Sequence, residues 1–75
     1  MNRDVREIVR EEPLHRDEIL AALGEGPRTV GEIAAAIGAD ERETMFWVMG
    51  MRKYGRLAEL DADGDGYFRF QAAGA

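Results

Sequence analysis

The chain has 75 residues, 45% hydrophobic and 33% charged, and its fifteen acidic against ten basic side chains give a net charge of −5. One domain of ordinary globular composition is expected, too short to hide more than about 60% of its unfolded surface and so dependent on good caps and turns. Having no cysteine excludes a disulfide framework and a thiolate metal site, the apolar runs fall far short of the roughly 20 residues of a membrane span, and the acidic balance weighs against a general nucleic-acid binder.

In chain order, "RDVREIVRE" (residues 3–11) sets Val5, Ile8 and Val9 at i, i+3 and i+4, the spacing of a short amphipathic helix within an N-terminal segment, residues 1–13. The charged opening has no apolar h-region, so a secretory signal is not expected and a cytoplasmic setting is. Pro13 should end or kink this helix and sit comfortably in the first turn of the next. That second helix is predicted over residues 14–23, with Leu14, Ile19, Leu20 and Leu23 inward. Gly24-Glu25-Gly26-Pro27 breaks it.

"RTVGEIAAAIG" then predicts a third helix in which Thr29 is the N-cap, Glu32 completes a capping box and Val30, Ile33, Ala34 and Ile37 form the buried stripe. Gly38 suits a left-handed residue past its end. Asp40, with Glu43 three residues later, should cap a fourth helix that runs to Tyr54 and is stopped by Gly55. The joint Ile37-Gly38-Ala39-Asp40 is the length of a tight helix-turn-helix. Beyond Gly55, "RLAEL" and "GYFRFQ" flank an Asp/Gly-rich turn and predict a β-hairpin with Leu57, Phe68 and Phe70 inward. Residues 72–75 are expected to fray.

This order of elements, and above all "GPRTVGEIAAAIGADERETMFWVMGMRKYGRL", resembles the winged helix-turn-helix family over about residues 14–71. The fold expected is α+β but mainly α: a three-helix core, a C-terminal two-stranded hairpin as the wing, and an extra short N-terminal helix. The resemblance implies a helix, residues 40–54, that enters the major groove of DNA, and a wing that follows the backbone or minor groove. Arg28 is the best single phosphate contact in that geometry, and Arg42, Arg52, Lys53 and Arg56 are the other residues that a DNA-binding regulator would use.

The residues themselves suit that role badly. Counting back from Gly55 in the family pattern buries Met51, Val48 and Thr44, half-buries Trp47 and turns Met45, Phe46, Met49 and Gly50 outward. Base readout needs Arg, Lys, Asn or Gln at such positions, and the centre of this face has none. The turn carries Asp61, Asp63 and Asp65, and a carboxylate about 7 Å from a phosphate is repelled by about 0.6 kcal/mol even in water. A protein-binding surface is therefore expected at Met45, Phe46, Met49, Gly50 and Lys53, for a partner protein or for self-association, with Arg42, Arg52 and Lys53 suiting a partner edged with acid. Three other readings stand beside it: the chain could be a DNA-binding transcriptional regulator of the winged-helix type acting through the arginines and lysine named above, Val5, Ile8 and Val9 could cover Met45, Phe46 and Met49 within the chain, or the chain could be a structural subunit of a larger complex.

No catalytic residue, metal, cofactor or small-molecule substrate is expected. His15 is the only histidine and is expected at the surface, and the chain contains no serine to activate. "DADGDGYFRFQA" begins like a calcium loop, but Arg69 and Ala72 stand where that loop needs its last ligands, so it is expected to be a turn. No phosphate-binding glycine motif is present, and an enzyme is not expected.

Overall fold

Four helices and one antiparallel hairpin follow one another: α1 Val5–Arg10, α2 Glu12–Ala22, α3 Val30–Ile37, α4 Glu41–Lys53, β1 Leu57–Leu60 and β2 Arg69–Ala72. The structure, a computed structural model, describes residues 3–62, 64 and 66–73. It is a mainly helical α+β arrangement in which α4 lies at the centre, packed by α1, α2, α3 and β1.

Local chemistry sets the ends of these elements. The Asp4 carboxylate accepts the Arg6 N–H at 2.9 Å and opens α1. At six residues α1 cannot persist alone, so tertiary contact must hold it. Glu11 closes α1 and also opens α2, with Pro13 in the first turn of α2, where its missing N–H costs nothing. The second helix thus begins two residues earlier than the sequence suggests. In α3 the capping box is reciprocal: Glu32 N–H donates to the Thr29 hydroxyl at 3.2 Å, and Thr29 N–H donates to the Glu32 carboxylate at 2.8 Å. Gly38 ends that helix at φ 69°, ψ 34°, with nothing near enough to clash with a Cβ, so the requirement for glycine is conformational.

Asp40 accepts Glu43 N–H at 3.0 Å through its side chain and the Thr44 hydroxyl at 2.8 Å through its carbonyl, which starts α4 and satisfies a buried polar side chain. The core is Ile8, Ile19, Leu23, Ile33, Trp47, Val48, Met51, Leu57 and Phe70. β1 and β2 pair in the register Leu57 with Ala72 through Leu60 with Arg69. Arg28 adds one antiparallel bridge outside the strands, exchanging backbone hydrogen bonds with Phe70 at 2.8 and 3.0 Å and tying the hairpin to the base of α3. The pairing reaches further than expected at the C-terminal side: Ala72 lies in β2, and Ala73 N–H donates to the Arg56 carbonyl at 3.0 Å.

Four expectations about which side chains face inward need correction. Leu14 is 74% exposed, because it lies about 140° round the helix from Ile19 while Glu12 occupies the inner face. Burial of Glu12 is compensated by Arg16, which donates to it at 2.5 Å. Phe68 is 52% exposed; it precedes the first paired residue of β2, and Phe70 takes the core position. Of Val5, Ile8 and Val9, only Ile8 is buried. Trp47, expected half-buried, is 2% exposed: its indole N–H donates to the Ile8 carbonyl at 2.7 Å, and His15 stacks on its ring at 4.0 Å between centroids. That stacking places His15 part-buried against the core rather than free on the surface. No helix among the described residues is long and apolar enough to cross a membrane.

Candidate functional site

The outward side of α4 is divided by what packs on either flank. Towards α1 and α2, Glu43 is gripped by Arg3, which also binds Glu11; Arg3 Nη2 lies 2.5 Å from each carboxylate. That guanidinium holds the Glu11 carboxyl below the usual carboxylate range. Gly50 lies on the same flank, where an added Cβ would meet the Glu12 side chain at 4.0 Å. Helix α1 therefore fastens to the Trp47 edge of α4 and leaves Met45 50% exposed.

Towards the hairpin there is an open groove of about 610 Å³ between α4, the start of α3 and the loop before β2. Its apolar walls come from Met45 and Met49 on α4, Val30 on α3, and Tyr67, Phe68 and Phe70 on the hairpin. Tyr67 at 67% and Phe68 at 52% exposure leave it accessible along one side. These side chains give the groove an apolar lining that is open to solvent along one side. Met on one wall adds adaptability, because its unbranched chain refits to irregular shapes.

The polar lining consists of Thr29 and three carboxylates, Glu32, Glu41 and Glu59. Glu32 is fixed by the capping box, and the Thr29 N–H that binds it keeps its pKa below the ordinary value. Glu41 leans over the start of α3, with one oxygen 2.6 Å from where a Cβ on Gly31 would stand, so a side chain there would push the flexible Glu41 carboxylate aside. Among the described residues the Glu41 carboxylate has neither a hydrogen bond nor an ion pair. Glu59 is bridged by Arg52 at 3.4 Å.

Met45 and Met49 are thus the two expected partner-binding residues that line the groove, whereas Phe46, Gly50 and Lys53 lie outside its lining. Phe46 is half-buried against the core with the Arg42 guanidinium 5.3 Å above its ring, and Lys53 stands 5.8 Å over Tyr54. The expected basic rim is corrected in part by these contacts: Arg42 and Lys53 lie over aromatic rings, whereas Arg52 stays at the groove, bridged to Glu59 of its lining. Arg28 lies 3.8 Å from Glu25, and Arg56 is exposed at the end of α4. Asp61 is exposed beyond β1, while Asp63 and Asp65 of the acidic turn lie outside the described residues. The hairpin side of the groove was hidden in the sequence, because Tyr67 and Phe68 looked like strand residues with one inward face.

No family model matches the chain, and no curated protein matches it. Among solved structures it is similar to human N-acetylserotonin methyltransferase, determined in complex with SAM, with a TM-score of 0.65 and 17% identity over 93% of this chain and 19% of that one. The likeness is one of fold. The chain spans about a fifth of the length of that methyltransferase. It also corrects the expectation that set enzymes aside, since an enzyme carries this fold as part of its chain.

Proposed function

We propose that the chain is a winged helix-turn-helix domain with an added N-terminal helix, and that it works as a docking module whose groove between α4 and the wing receives part of a partner protein. The order α2, α3, α4, β1, β2, the left-handed turn at Gly38 and the Arg28 bridge to the hairpin support the first part. One observation carries the second. The angle between helix and wing, where nucleic acid would need cations, holds Met45, Met49, Tyr67 and Phe68 beside Glu32, Glu41 and Glu59. A role beside catalytic machinery fits the same reading, since a docking module can be carried within a larger enzyme.

Photo-crosslinking in cells tests it. A benzophenone side chain at position 68, half-exposed in the groove, is expected to give a discrete protein adduct that Met45→Lys removes. The same probe at Glu18, exposed on α2, serves as the control. Adducts to DNA from position 68, or equal protein adducts from both positions, would overturn the proposal in favour of a DNA-binding regulator or of a surface without a partner.

A further inference from the structure

Resting on the docking reading above, we propose that the groove takes an apolar segment bearing Lys or Arg, and that a different protein supplies it rather than a second copy of this chain. Three of the side chains lining the groove are carboxylates and none is basic. Two of these carboxylates already face cations, Glu59 through Arg52 and Glu32 through the charges of Arg69 and Arg28, while Arg42 lies on Phe46 and Lys53 on Tyr54. Glu41 is the carboxylate without a counter-charge among the described residues, and it stands beside Met45, one turn along α4.

A long basic side chain matches that pair, because its methylene stem can lie along the methionine while the charged head reaches the carboxylate. Apolar side chains flanking the cation would fill the space between Met49 and Phe68. Charge also weighs against a groove-to-groove pair, an acidic segment and a nucleic acid. Two copies meeting groove to groove would bring their acidic rims together, each on a chain of net charge −5. An acidic segment or a nucleic acid would meet the same repulsion. The exposure of Met45, Tyr67 and Phe68 favours a segment laid along an open groove over a small molecule, which a site of its own normally encloses by 70–90%.

The probe is a library of random twelve-residue peptides displayed on phage, selected on the whole chain and counter-selected on the Met45→Lys/Phe68→Lys variant. Enriched peptides are expected to combine aromatic or aliphatic residues with Lys or Arg. The best of them should shift the methyl resonances of Met45 and Met49. Its affinity should fall about two- to fivefold in Glu41→Gln, by more in Glu41→Lys, and with added salt. Circular dichroism confirms that these exposed substitutions leave the fold intact.

Enrichment of apolar peptides that are neutral or acidic would overturn the charge assignment and leave the docking reading in place. Failure to obtain any peptide that the counter-selection removes would overturn both. A dimer seen by sedimentation and abolished by Met45→Lys would overturn the choice of a different protein.

Discussion

Trp47→Phe measures how firmly the N-terminal helix is built into this fold. The indole is 2% exposed, donates its N–H to the Ile8 carbonyl at 2.7 Å and stacks on His15. Phenylalanine keeps a ring but loses the donor and roughly three heavy atoms. The Ile8 carbonyl still accepts Glu11 N–H at 3.1 Å, so it is not orphaned, and the lost hydrogen bond should cost about 1 kcal/mol. Removing the buried atoms should cost about 2 kcal/mol more in lost transfer energy. A chain of this length has an unfolding entropy of about 0.16 kcal/mol/K, so a total of about 3 kcal/mol should lower Tm by about 19 °C. Thermal and urea unfolding followed by far-UV circular dichroism reads this directly, since the variant has no tryptophan. Amide exchange should accelerate most in α1, which has too few residues to remain helical once loosened. A Tm within about 5 °C of the parent, with α1 protection unchanged, would show that α1 is held by something other than this contact.

Two further outcomes follow from the ends of the helices. Gly38→Ala should destabilise by about 1–2 kcal/mol through the left-handed φ of 69° alone, since no atom opposes the methyl group; equal or higher stability in urea would show that α3 ends differently. Glu11 and Glu32 both ionise below the ordinary carboxylate pKa of 4.5, held by Arg3 and by Thr29 N–H respectively. The stability they contribute is therefore complete above about pH 4.5 and is lost as pH falls through their lower folded values. Urea midpoints taken from pH 6 down to pH 2.5 should drop in that acid window, and by less in Arg3→Ala, where Glu11 no longer gains from folding. An equal drop in both proteins would remove Arg3 as the cause.

Much of the backbone was legible because its signals are local. Thr29 with Glu32, Gly38, Asp40 with Glu43 and Gly55 each act within a few residues of themselves, and each was found where the sequence placed it. The buried side of α4 was also readable, since Thr44, Val48 and Met51 follow helical spacing. The candidate site was legible only by half. Met45 and Met49 could be turned outward by counting along the helix, but a period says nothing about what stands opposite.

Spacing alone determined helices, caps and hairpin, because hydrogen bonds between near neighbours and the 3.6-residue turn are properties of short segments. Tertiary structure decided that Leu14 and Phe68 remain outside, that Trp47 is fully enclosed by α1 and His15, that Arg42 lies over Phe46 and that Arg52 bridges Glu59. It also brought Glu32, Glu41 and Glu59, from three separate elements, to the edge of one apolar groove. Charge and exposure at a surface are sums over everything nearby in space, and these neighbours are far apart along the chain.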